Sequence, residues 1–206
     1  VTPQVTPKAK PVSVHKPGPR KASDQFQQAA IFAWVIQQLY SPGRPVSRFR
    51  AGKMIYLIER AVQLKLFQNY LKQAAGPYDP SLRYKGPENI AVRQQQWLVP
   101  VDESHFQPGP KIDEVTRYAR RYLNLAQASA VIEEFRTYHD QTLSRWTTVE
   151  MAARELQACG EPVTPQRILS YVEDVPEWRH KLQREEFISD LIASTLTGLR
   201  RVGLLG

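Results

Sequence analysis

Apolar residues recur at helical spacing along most of the chain, and clusters of Pro and Gly divide that pattern into segments. Phe26, Ala29, Ala30, Ala33, Trp34, Ile36 and Leu39 form a broad stripe that predicts a first helix over 25–39, with Ser23 or Asp24 as its cap. Ser41-Pro42-Gly43-Arg44-Pro45 ends it. Ser47 opens a second helix, in which Arg48, Arg50 and Lys53 precede an apolar face of Met54, Ile55, Leu57, Ile58, Ala61 and Leu64. Leu66, Phe67, Tyr70 and Leu71 continue the apolar pattern past a short break near Lys65, until Gly76-Pro77. A fourth helix is expected over 88–97, then a short strand at Val99-Pro100-Val101 and a turn-rich connection over 102–111. The next pattern, from Ile112 to about Leu143, has neither Pro nor Gly and predicts one long helix or a weakly broken pair.

The last third carries local signals. Thr147-x-x-Glu150 has the form of a capping box, starting a helix that Gly160 ends. Thr164 before Pro165 is a cap with proline at the first helical position, for a helix to about Val172. A third helix is expected from Glu185 to Val202, stopped at Gly203-Leu204-Leu205. These three helices resemble the helical part of a winged helix-turn-helix unit. The expected fold class is all-α or nearly so: a linker over 1–22, a central helical domain over 23–145, and a small helical unit over 146–206.

Composition refines this picture. Residues 1–22 alternate Pro with Lys, Val and Thr, a pattern that favours an extended linker over a helix; together with Val1 in place of Met it leads us to expect a further domain upstream. No apolar run is long enough to span a bilayer, and the N-terminus has no signal-peptide core. The lone Cys159 excludes an internal disulfide framework and fits a reducing cytoplasm. Net charge is +8, with five Lys/Arg and no acid in residues 1–22, while 146–206 are mildly acidic.

The most unusual stretch is Gly76-Pro77-Tyr78-Asp79-Pro80-Ser81-Leu82-Arg83-Tyr84-Lys85-Gly86-Pro87. Prolines restrain the backbone at both ends. Between them Tyr78, Arg83, Tyr84 and Lys85 are amphipathic side chains suited to contact at low entropic cost. Two uses compete: a recognition loop, for protein or single-stranded nucleic acid, or a connection pinned to the core by Tyr78 and Leu82. The recognition loop is the expectation.

Other chemistries fit less well. His15, His105, His139 and His180 lack metal-ligand spacing, and no phosphate-binding loop or nucleophile elbow occurs. A nuclease would need Asp79 paired with Asp102 or Glu103 around magnesium. DNA binding would use Arg48, Arg50, Arg120 and Arg121 on a basic central face, with Arg200 and Arg201 on the last helix, whose first turns carry Glu185, Glu186 and Asp190 and would repel phosphate. No catalytic residue, cofactor or metal is assigned.

Lys53-Met54-Ile55-Tyr56-Leu57, then Tyr70, then Ala75-Gly76-Pro77-Tyr78-Asp79, then a segment ending in Trp97-Leu98, resembles the Panacea (SocA-like) antitoxin domain over roughly residues 25–100. Similar Ala-Gly-Pro stretches accompany restriction-modification and phage-defence proteins. The resemblance implies a mostly helical, non-enzymatic domain that binds a toxin or a defence-complex subunit. It matches Lys53, Tyr56, Gly76, Pro77 and Asp79. The Tyr84-Lys85-Gly86-Pro87 extension, the Pro-rich opening and the C-terminal helices depart from it.

Overall fold

The computed structural model describes residues 23–67, 69–83 and 86–206, so the 1–22 linker and the Tyr84-Lys85 part of the loop lie outside the described residues. The described chain is mostly helical, with two small antiparallel sheets.

Helix α1 (Asp24–Leu39) is the centre. Ser23 caps it, its Oγ accepting from the Phe26 N–H, and every residue from Gln28 to Ile36 is buried. A helix apolar all round has to be enclosed by other elements. Here α2 (Arg48–Val62) packs on one side and α4 (Val115–Ala119) on another. Ser47 caps α2 as its position predicts, accepting from Arg50 N at 3.1 Å. Two residues, Val46–Ser47 (β1), pair with β5 (His105–Pro108), which pairs with β4 (Leu98–Pro100).

Several predicted elements are corrected. Leu66, Phe67, Tyr70 and Leu71 do not continue a helix: Leu71–Gln73 (β2) and Gly76–Tyr78 (β3) form a hairpin, because α2 ends at Gln63 with φ 54° and turns the chain back. The expected fourth helix is one turn, Pro87–Asn89 (α3), running into a π-helical turn over Ile90–Gln94, in which Gln95 N–H reaches Ile90 O at 2.9 Å. The widened turn buries both Ile90 and Trp97 and still delivers Leu98 to β4.

The expected helix over 112–143 is divided into α4, α5 (Leu125–Phe135) and the start of α6 (Asp140–Ala158). A straight helix of that span would be about 48 Å long. Broken at Arg120–Asn124, it instead lays α4 on α1 and α5 on α2, and Asn124 recaps α5 through the Gln127 N–H.

Thr147 and Glu150 do not start a helix; both lie inside α6 and are buried. Thr147 Oγ1 donates back to Leu143 O at 3.0 Å, and Glu150 accepts from the Tyr56 hydroxyl. Position 145/146, expected as a domain boundary, therefore falls in mid-helix, and one apolar core continues across it. Further on, α7 (Pro165–Asp174) begins at the predicted Thr164 cap and α8 (Ser189–Arg201) ends before Gly203 at φ 72°; the helix expected from Glu185 starts only at Ser189, because Glu185–Phe187 forms a separate 3-10 turn and Ile188 is extended. Helices α6, α7 and α8 pack on one another. Gly198 permits the α6–α8 crossing, since a Cβ there would stand 2.3 Å from the Trp146 ring. Among the described residues no helix is long and apolar enough to cross a membrane.

Candidate functional site

The β2–β3 hairpin is held by side chains from three separate parts of the chain. Lys53 of α2 donates from Nζ to Pro77 O at 2.7 Å. Ser144 of α6 donates from Oγ to Ala75 O at 2.8 Å, and itself accepts from Lys181 Nζ at 2.9 Å. Trp178 donates from Nε1 to Gln73 O at 2.9 Å. Alternate carbonyls of the hairpin tip thus each receive a donor. At the turn, Gly76 adopts φ 99° and lies directly against Thr148 and Lys53.

Among the described residues neither lysine has a carboxylate partner, and both sit inside: Lys53 is 3% and Lys181 0% exposed. Burial, with Lys181 nearby, holds the Lys53 ammonium well below its usual pKa. Burial, then Arg184, lowers Lys181 to about 8. Below about 8 folded and unfolded chains both carry the proton and the buried charge costs stability in full; between about 8 and 10.5 only the unfolded chain holds it, so the cost fades as pH rises through that range. Lys181→Met is therefore expected to raise stability at pH 7 by about 1–2 kcal/mol. That advantage should shrink above pH 8 in urea titrations; a pH-independent difference would exclude a buried titrating ammonium at this position.

A second layer of buried acids supports the hairpin from behind. Glu59 accepts from Leu66 N at 2.9 Å, Phe67 N at 2.8 Å and the Tyr70 hydroxyl. The Tyr56 hydroxyl donates to Glu150, and Arg60 lies over the Tyr56 and Tyr70 rings at 5.0 and 5.6 Å. Desolvation raises the pKa of both carboxyls and of both tyrosines.

The structure thus divides the predicted contact residues. Lys53, Tyr56, Gly76, Pro77 and Asp79 are buried and frame the hairpin instead of forming a contact surface. Asp79 caps the following 3-10 turn, Pro80–Leu82, accepting from Ser81 N at 2.8 Å and Asn69 N at 3.1 Å. Its carboxylate is occupied by backbone. Asp102 is equally occupied by the N–H groups of Ser104 and His105, which hold its pKa at about 2, and no group of acids or histidines among the described residues is arranged for a metal. Leu82 is pinned in the core, as the competing reading of the loop required.

What remains outward is Tyr78, half-buried, and Arg83, exposed. With Phe49, Gln73 and Pro80 they line an open cleft of about 450 Å³ whose inner wall is Ser47, Arg48 and Ser104. A neighbouring cleft of about 350 Å³ shares Arg48 and Arg83 and reaches Asn89 and Arg93 beside the π-helical turn. Arg48 is bound bidentately by Glu88 at 2.5 and 3.0 Å and donates to Glu103 O at 2.6 Å. Arg50 is similarly committed, to Asp140 at 2.8 Å and to the carbonyls of Arg136 and Tyr138. Both are staples between segments, which removes them from the expected basic face. Arg201 pairs with Glu134 at 2.7 Å, while Arg200, Arg120 and Arg121 are exposed. Arg200 is on α8 and Arg120 and Arg121 follow α4, so the six arginines do not form one face.

Ser144, Thr148, Trp178, Lys181, Glu59 and Glu150 escaped the sequence reading as site residues. Ser144, Thr148, Trp178 and Lys181 act on a hairpin far away in sequence and Glu150 on Tyr56 of α2, and no local pattern marks them. Lys53 and Pro77, 24 residues apart in sequence, are brought together by the fold. No protein-family model matches the chain, and no curated protein matches it in sequence.

Proposed function

We propose that the chain is a non-catalytic interaction module of a toxin–antitoxin or restriction/phage-defence system, engaging a protein partner through the cleft beside Tyr78 and Arg83. The observation that carries this reading is the clamp. Lys53 and Pro77, from the two halves of the Panacea-like motif, are joined by a 2.7 Å hydrogen bond, and the hairpin they fix presents Tyr78, Pro80 and Arg83 outward. A preorganised edge of this kind binds without an ordering cost. Tyrosine and arginine are also the side chains that most often anchor such contacts.

The partner best suited to the edge offers an apolar side chain for the Phe49–Tyr78–Pro80 wall and an acid for Arg83. The buried lysines and acids are spent on backbone and hydroxyl groups, which favours a stoichiometric role over a reactive one. In the C-terminal part, read as winged-helix-like, the segment between α7 and α8 contributes to this function by holding the hairpin directly through Trp178 and, by way of Ser144, through Lys181.

The test is co-expression with the product of the adjacent gene. We expect a stoichiometric complex and relief of any growth arrest that product causes. Tyr78→Ala/Arg83→Glu should weaken the complex roughly tenfold or more while the thermal midpoint stays unchanged. Undiminished binding by that variant would remove the cleft from consideration.

A further inference from the structure

We infer that the turn closing α4 is a second interaction surface, fitted to the phosphodiester backbone of a nucleic acid. Arg117, Arg120 and Arg121 are all exposed there. Among the described residues none of the three has a carboxylate partner. Other arginines of this chain are paired, among them Arg50 with Asp140, Arg136 with Glu133, Arg167 with Glu161 and Arg201 with Glu134, and the exposed arginines without an ion pair elsewhere among the described residues, such as Arg44 and Arg200, are not grouped in threes on one turn.

The three are mounted on a rigid support. Tyr118 meets Phe26 edge-on, with centroids 5.4 Å apart, and Trp97 at 5.3 Å. Over its ring lie the guanidinium carbons of Arg117 at 5.0 Å and Arg121 at 5.5 Å. Thr116 Oγ1 donates to Gln37 Oε1 at 3.2 Å, tying α4 to α1, and buried Leu123 anchors the chain just past the turn. Planar guanidinium groups held this way lose little freedom on forming paired bonds to phosphate oxygens.

The arrangement exceeds what α4 needs for itself. One cation near a helix C-terminus offsets the dipole, and the acids Asp113 and Glu114 already serve the opposite end. Three arginines this close repel one another, a cost that Tyr118 offsets only in part through its ring and hydroxyl. Closely spaced phosphates offset the rest, by releasing counterions. Extended rather than pointlike negative charge also suits a chain of net charge +8 whose residues 1–22 add five Lys/Arg without an acid. This surface comprises residues other than those of the Tyr78–Arg83 cleft, so the two stand or fall separately.

The full chain is titrated against fluorescein-labelled oligonucleotides of about 20 nucleotides, single-stranded and duplex, between about 50 and 200 mM salt. Affinity is expected to fall steeply with salt. Arg117→Gln/Arg120→Gln/Arg121→Gln should flatten the log–log slope by about 2–3, since each lost phosphate contact contributes roughly 0.7–0.9. The corresponding triple lysine variant, which preserves charge and controls for folding, should keep the slope. An unchanged slope in the glutamine variant overturns the proposal. So does equal competition by polyglutamate of matched charge, which would make the partner an acidic protein.

Discussion

Gly76→Ala is expected to cost about 3 kcal/mol or more, enough to consume a large share of the ~5–15 kcal/mol that stabilises a typical domain. Two independent effects combine. The residue sits at φ 99°, a conformation that a side chain makes unfavourable by about 1–3 kcal/mol. An added Cβ would also stand 2.7 Å from Thr148 Oγ1 and 3.1 Å from Lys53 Nζ. Relief would push the hairpin off the lysine and break the bond to Pro77 O. Thr148 offers a way to separate the effects, since its hydroxyl is buried and has no hydrogen-bond partner among the described residues. Gly76→Ala/Thr148→Ala should recover the steric part, and the remainder should match the backbone strain. Urea unfolding of the four members of the cycle measures this. Equal stability of Gly76→Ala and the parent would mean the turn is not held as described.

Glu59→Ala is the second large effect, with an expected loss of about 3–5 kcal/mol. The side chain is 1% exposed and satisfies the N–H groups of Leu66 and Phe67 and the Tyr70 hydroxyl. Removing it orphans three donors in the segment that leads from α2 to the hairpin, each worth about 1–3 kcal/mol if left unpaired. Glu59→Gln keeps an acceptor for the backbone and should cost far less at neutral pH. Its relative standing should also depend on pH, with a definite sign. Burial raises the folded pKa of Glu59 above 4.5, so the protonated parent is favoured below that value and loses this contribution as pH rises through the folded pKa. Glu59→Gln should therefore fare better against the parent at pH 7 than at pH 4. The reverse trend would show the carboxylate to be stabilised by its partners more than it is penalised by burial.

Much of the helical frame was legible in the sequence because its signals are local. Ser23, Ser47 and Thr164 cap helices where their positions predict, since a cap is settled by the N–H groups two or three residues on. Gly160 and Gly203, at φ 72°, close α6 and α8 for the same kind of reason. Thr147-x-x-Glu150 has the same local form and is not a cap, because both side chains found other partners inside α6 and across to α2. The short motif could not reveal that.

The hairpin shows where local reading stops. Leu66, Phe67, Tyr70 and Leu71 fit a helical period, yet the chain turns back at Gln63 and Glu59 holds it there. Tyr78 and Arg83 were legible as surface candidates from residue type alone. Asp79 was not distinguishable from them, because its burial follows from capping Ser81 and bonding Asn69. Periodicity, caps and turn residues determined by themselves that this protein is mostly helical and where several helices begin and end. Only the tertiary structure decided that Lys53, Lys181, Glu59 and Glu150 lie inside and which strands pair. It alone showed that the Gly-Pro loop is a clamped hairpin with a narrow outward edge. The physical reason is distance along the chain: a buried charge is tolerated only with its partners in place, and Lys53 meets Pro77, Ser144 meets Ala75 and Trp178 meets Gln73 only after the fold has closed.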